Sequence, residues 1–362
     1  MKIGIVGLPN VGKSTLFNAL TKSSAAMAAN YPFCTINPNV GIVEVPDNRM
    51  KLLAEIVKPQ RMVPAVVEFV DIAGLVKGAS EGEGLGNQFL AHIRECDAIG
   101  QVLRLFKDDN VIHVHGGVDA RRDLDIINTE LILADLQTVS KRAGKAKNDS
   151  KSGDKKKVTY FNLVERVENA LKSGQKASEL EFTQEELLEL QDLHLLTAKP
   201  FLYIINISEN DLKTVIPEQI AKDLGLGADA KVIPISAKVE EELINFTEEE
   251  AEGLLSELGI KESGLNSLVN AAYEILGLMT YFTAGVLEVR AWTIHKGDTA
   301  PNAAGVIHTD FEKNFIRAEV FGFDDFVACK GEAGAKEKGL LRLEGKEYIV
   351  KNGDVMHFRH SS

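Results

Sequence analysis

Gly7-Leu8-Pro9-Asn10-Val11-Gly12-Lys13-Ser14-Thr15 is the stretch whose reading decides the fold. It has the form G-x-x-x-x-G-K-S, and its flanks suit that form. Lys2-Ile3-Gly4-Ile5-Val6 before it is a short apolar, β-branched run of the kind that makes a buried strand. Ser14 to Leu20 after it spaces its apolar residues three and four apart, as a helix does. Strand, glycine loop and helix in that order make a P-loop. Backbone N–H groups from Asn10 through Val11, Gly12 and Thr15 are then expected to wrap phosphates at the positive end of a helix dipole. Lys13 is expected on the β- and γ-phosphates as the catalytic cation, with the Ser14 hydroxyl on Mg²⁺. The stretch therefore implies a nucleoside triphosphate site.

The 362 residues suffice for two or three domains. An apolar fraction of 44% and a charged fraction of 26% are those of a globular chain. No apolar run approaches the ~20 residues that span a bilayer, and no secretory leader is visible, so a cytoplasmic protein without membrane contact is expected. Cys34, Cys96 and Cys329 are far apart and form no metal spacing, which suits a reducing compartment. The net charge of −12 argues against a surface that coats nucleic acid as a whole.

Downstream, Val40 to Val45 reads as a strand, and so does Ala65-Val66-Val67-Glu68-Phe69-Val70-Asp71 before Ile72-Ala73-Gly74. An apolar strand ending in Asp-x-x-Gly is the second half of a P-loop site. Asp71 is expected to hold Mg²⁺ through water, and the Gly74 N–H to reach the γ-phosphate. Further strands are expected at Asp97 to Phe106, Phe201 to Asn206 and Val232 to Ser236, alternating with helices at Asn87 to Glu95 and Leu265 to Leu276. That alternation implies an α/β fold, a doubly wound and mostly parallel sheet. Between those strands Arg121 to Arg142, Tyr160 to Leu171 and Gln184 to Leu196 carry helical periodicity, read as an inserted antiparallel helical hairpin. Its lysine-rich tip, Ser140 to Lys157, is expected to be a mobile loop. From Met279 onward short β-type runs at Val286 to Ile294, Phe315 to Val320, Leu340 to Leu343 and Tyr348 to Val350 suggest a small α+β domain. The expected division is 1–128 with 199–278, the hairpin 129–198, and 279–362. The acidic runs at Glu240 to Glu242 and Glu248 to Glu250 are expected to face solvent.

The purine is read from Asn206-Ile207-Ser208-Glu209. Guanine-specific hydrolases carry Asn-Lys-x-Asp there, the Asp accepting from guanine N1–H and N2–H₂ and the Lys stem covering the ring. Here the lysine is replaced by Ile207 and the carboxylate stands one methylene further out. Adenine offers an acceptor at N1, so the lost readout favours ATP over GTP. Asn206 and Ile207, with Ser236 and Ala237 opposite, form the expected base region.

Gly-Leu-Pro-Asn-Val-Gly-Lys-Ser, Tyr31-Pro-Phe-Cys-Thr35, Asp71-Ile-Ala-Gly-Leu75, Asn206-Ile-Ser-Glu209, Arg290-Ala-Trp-Thr-Ile294 and Gly305 to Lys313 together resemble the YchF subfamily of Obg-like P-loop ATPases over essentially the whole chain. The resemblance implies ATP as substrate, association with ribosomes and a C-terminal TGS domain of β-grasp fold. It implies Thr35 as the switch residue closing over Mg²⁺. It also matches Asn10 to an asparagine that helps place K⁺ against the phosphates.

Leu75 stands where many GTPases carry the glutamine that orients water, and leucine cannot do that work. Slow hydrolysis is expected, with His113 or His115 as the water-positioning group. Lysines without interleaved aromatics suit phosphate contact, so the hairpin tip reads either as a site for ribosomal RNA or as a solvated loop. Three functions stay open: a slow ATPase switch on the translation machinery, acting as a monomer; a GTP-specific G protein; and a binding module that hardly turns ATP over.

Overall fold

The computed structural model describes residues 1–25, 39–72, 85–108 and 117–361. The chain opens with β1 (Lys2–Val6), α1 (Lys13–Ala25), β2 (Val40–Glu44), α2 (Asn48–Val57), β3 (Arg61–Val63), β4 (Val66–Asp71), α3 (Leu85–Arg94) and β5 (Ala98–Arg104). The helical stretch is α4 (Ala120–Ser150), α5 (Lys155–Lys172) and α6 (Gln184–Leu190). Next come β6 (Phe201–Asn206), α7 (Pro217–Asp223), β7 (Lys231–Ile235), α8 (Ala237–Leu243), α9 (Glu248–Glu257) and α10 (Gly264–Ile275). The C-terminal part holds β8 (Leu278–Ala284), β9 (Glu288–His295), α11 (Ala300–Ile307), α12 (Thr309–Lys313) and β10 (Phe315–Phe321). It ends with α13 (Phe323–Ala328), α14 (Glu332–Glu337), β11 (Arg342–Glu344) and β12 (Val355–His360). No helix among the described residues is long and apolar enough to cross a membrane.

The chain forms two compact units, Met1–Ile42 with Glu68–Leu268, and Val43–Val67 with Val269–Ser362. In the first, a sheet runs in the order β2-β4-β1-β5-β6-β7, and the pairs from β4 to β7 are all parallel. Every residue of β5 and β6 is buried, which is why both are largely apolar: parallel strands covered on both faces have no solvent side.

The helical hairpin differs from the sequence expectation at both ends. α4 begins at Ala120, ahead of residue 129, and the whole hairpin falls within the first unit. The lysine-rich tip is not a loop. Helix runs through Ser150, and α5 starts at Lys155 with the Asp154 carboxylate accepting from the N–H groups of Lys156 and Lys157. Lysine, arginine and alanine favour helix, so only the Ser-Gly-Asp of the turn interrupts it. Ile132, Val139, Ala143, Leu163, Val164, Val167 and Leu171 make a core along the hairpin.

The second unit contains a mixed sheet in the order β11-β10-β12-β8-β9-β3. Its last strand comes from Arg61–Val63, parallel to β9, and α2 also belongs to this unit. Residues 43–67 thus lie outside the 1–128 block read from sequence. α2 is capped by Asp47, whose carboxylate accepts from Arg49 N–H, while the Arg49 guanidinium lies 5.0 Å from the Phe282 ring centre. Strands β8 and β12 lie outside the β-type runs expected from the sequence. Conversely, the strand expected at Tyr348 to Val350 is only a bridge between Thr299 and Ile349. The core joins Tyr281, Ile294, Phe315, Val320 and Phe358 to the small residues Ala300, Ala303 and Ala304 of α11.

Candidate nucleotide site

The phosphate loop follows β1, whose Ile3, Ile5 and Val6 are wholly buried. The turn depends on its glycines at two places. A Cβ on Gly7 would lie 3.1 Å from the Val102 carbonyl oxygen. Gly12 has φ +92°, and a Cβ there would meet Asn206 Nδ2 at 2.0 Å. Asn10 also takes a left-handed conformation, φ +65°, which asparagine tolerates better than most residues. α1 then opens with Leu16 N–H donating to Gly12 O at 3.0 Å, leaving the N–H groups of its first turn without helical acceptors.

Lys13 and Asp71 are brought together as an ion pair, from the start of α1 and the end of β4. Ser14 is exposed in the same first turn. A cation and a carboxylate therefore meet beside the loop. The donors on offer are the Asp71 carboxylate and the Ser14 hydroxyl, both oxygens. That suits Mg²⁺, which takes one or two protein oxygens and completes its shell with water and phosphate.

Asn206 has a part the sequence did not reveal. Its Nδ2 donates to Val11 O at 3.0 Å, and its Oδ1 accepts from Ala237 N–H at 3.1 Å. Its own carbonyl accepts from the N–H groups of Leu105 and Phe106. The Asn206 side chain thus ties the phosphate loop to the segment after β7, and its main-chain carbonyl holds the segment after β5. Ile207 and Ser236 are buried at 3% and 2% exposure, and Ile207 N–H donates to Ile235 O. Both are packed inside the unit and do not present side chains to solvent.

Arg104 was not singled out from sequence, although a charged residue ending the buried strand β5 parallels Asp71 ending β4. Its side chain is 1% exposed. The guanidinium donates to the carbonyls of Asn10, Phe106 and Asp108 and lies 4.2 Å from the Phe106 ring centre. Glu240, expected in solvent, is 3% exposed and caps α10 by accepting from Gly264 N–H at 2.7 Å. Thr35, Gly74, Leu75, His113 and His115 lie outside the described residues.

Residues 2–137 match the family described as MMR_HSR1, 50S ribosome-binding GTPase. Residues 278–361 match YchF-GTPase_C, described as a protein of unknown function. The chain is 54% identical over 359 residues to the ribosome-binding ATPase YchF of Bacillus subtilis, covering 98% of both chains. It belongs to the YchF family. Identity to the Escherichia coli O157:H7 YchF, also named a ribosome-binding ATPase, is 52%, covering 99% of this chain and 98% of the other. The solved YchF GTPase of Schizosaccharomyces pombe is 42% identical with a TM-score of 0.89, covering 99% and 97% of the two chains. YchF membership fits both the P-loop unit and the C-terminal unit, since the matches run through each.

Proposed function

We propose that this chain is a slow ATPase that binds ribosomes and changes its ribosome affinity with the nucleotide it holds. The bacterial relatives are named ATPases and the yeast one a GTPase. The choice of purine therefore has to come from the chain's own residues. The observation that carries the reading is the buried isoleucine at 207, where a guanine site needs a lysine against the ring. Nδ2 of Asn206 has a second hydrogen, which we assign to purine N7, an acceptor common to adenine and guanine. N7 does not discriminate, so selection falls to the groups beyond Ile207. Glu209 there is exposed and displaced from an Asp position by one methylene.

In this reading Lys13 would meet the β- and γ-phosphates, and Asp71 (through water), Ser14 and Thr35 would hold Mg²⁺. When bound, Mg²⁺ screens charge on the transferring phosphoryl group. The N–H groups of Val11, Gly12, Lys13, Ser14, Thr15 and Gly74 bind phosphate oxygens, and Ala237 supports the base side through Asn206. His113 positions the attacking water that Leu75 cannot. Asn10 places K⁺ against the phosphates; equal hydrolysis in K⁺ and Na⁺ buffers would remove that ion from the scheme. The exposed lysines at the α4–α5 turn contact ribosomal RNA phosphates.

Phosphate release measured with and without purified ribosomes tests the proposal, beside sedimentation with ADP or a non-hydrolysable ATP analogue. Faster release with ribosomes and a nucleotide-dependent ribosome-bound fraction are expected. Equal sedimentation in both nucleotides, with ribosomes leaving the rate unchanged, would contradict it.

A further inference from the structure

Strands β5 and β6 run side by side with Arg104 opposite Asn206. From these adjacent positions two buried side chains reach successive carbonyls of the phosphate loop. Arg104 Nη1 donates to Asn10 O at 3.4 Å, and Asn206 Nδ2 donates to Val11 O at 3.0 Å. A trans peptide is planar, with its N–H directed opposite to its C=O. Holding the Asn10 carbonyl inward therefore turns Val11 N–H outward, and holding the Val11 carbonyl inward does the same for Gly12 N–H. Those outward N–H groups are what a phosphate oxygen requires. The left-handed backbone of Asn10 also needs a fixed partner, because a non-glycine residue in that region persists only where its surroundings hold it.

We propose that Arg104 is the positioning residue of the phosphate loop, fixing it from the neighbouring strand. Arg104 brings a guanidinium to the inner side of the loop. Its Nε donates to Phe106 O at 3.1 Å and its Nη2 to Asp108 O at 3.3 Å, so the same planar fork clamps the segment leaving β5. Three carbonyls around one fork suit arginine and not lysine, whose ammonium is a point donor. The charge beneath the loop adds to its attraction for phosphate without touching the base.

The inference rests on the loop binding phosphate, and one titration separates the two. Binding of ADP and GDP is measured by calorimetry on the full chain, its Arg104→Met variant and its Arg104→Lys variant, with the ³¹P resonances of bound ADP recorded alongside. A parent chain that binds neither nucleotide would sink the nucleotide reading itself. With the parent binding, Arg104→Met is expected to weaken ADP and GDP alike, by about 10- to 100-fold, the scale of a lost hydrogen bond from a charged group. The ADP-to-GDP ratio should stay within about twofold and the β-phosphorus resonance should move, with Arg104→Lys intermediate in both. Should the Met variant not fold, the Lys variant decides. Parental ADP affinity with an unmoved β-phosphorus resonance, in either folded variant, would overturn the proposal.

Discussion

At the scale of single residues, the site shows how burial changes what a side chain is for. Glu240 sits in an acidic run, yet its carboxylate is used inside the protein as the cap of α10. Burial pushes its carboxyl above the usual 4.5, outweighing the N–H groups of Gly264 and Leu265 and the Ser263 hydroxyl, which lower it. A raised acid ionises at greater cost when folded. Its contribution to stability therefore falls as pH rises from the ordinary value through the raised one, and the loss is complete above it. Glu240→Gln keeps an oxygen for Gly264 and removes the titration. Thermal unfolding at pH 4 and pH 7 should show the variant equal to the parent in acid and at least as stable at neutrality. A larger loss at pH 7 than at pH 4 would contradict the assignment. Gly12 gives a second residue-scale test. Alanine there faces both a positive φ and a 2.0 Å approach to Asn206 Nδ2, so Gly12→Ala should cost about 1–3 kcal/mol of stability in urea unfolding. It should also lose nucleotide affinity. Sequence spacing was enough for Lys13 and Asp71, because phosphate chemistry fixes residue types at set intervals. Arg104 and the bridging use of Asn206 stayed hidden, because their contacts join positions about a hundred or more residues apart in the chain.

Elements were legible where period and burial coincide. β5 and β6 are buried throughout and β1 nearly so, β4 and β7 are partly covered, and the P-loop order of strand, loop and helix allowed little else. The reading failed where composition stood in for structure. Lysine with glycine and serine suggested a loop at the hairpin tip, yet good helix formers carry α4 through Ser150. The consequence is that Lys147, Lys151, Lys155, Lys156 and Lys157 sit on ordered helix ends around one turn, a fixed array of charge. Reversing Lys155, Lys156 and Lys157 to Glu should weaken ribosome binding and flatten its dependence on salt, lowering the slope of log affinity against log salt by about 2. Binding measured across a potassium chloride series checks this. An unchanged slope would reduce the array to a solvated surface.

For the whole molecule, the sequence order and the spatial order part company. Residues 43–67 are early in the chain, yet they form a helix and an edge strand of the C-terminal unit. Such a pairing joins segments far apart in sequence, so no local pattern announces it. The nucleotide unit is continuous in logic if not in chain: Asn206 and Ala237 return after the hairpin to meet the loop begun at Gly7. The account's central claim is that this returning segment no longer reads guanine, because position 207 is a buried isoleucine and position 209 a longer acid. Calorimetric titration of the full chain with ADP and with GDP, in the same Mg²⁺ buffer, tests it most directly. ADP bound at least about tenfold more tightly, a difference of about 1.4 kcal/mol, is the expected result. GDP bound more tightly than ADP would contradict it.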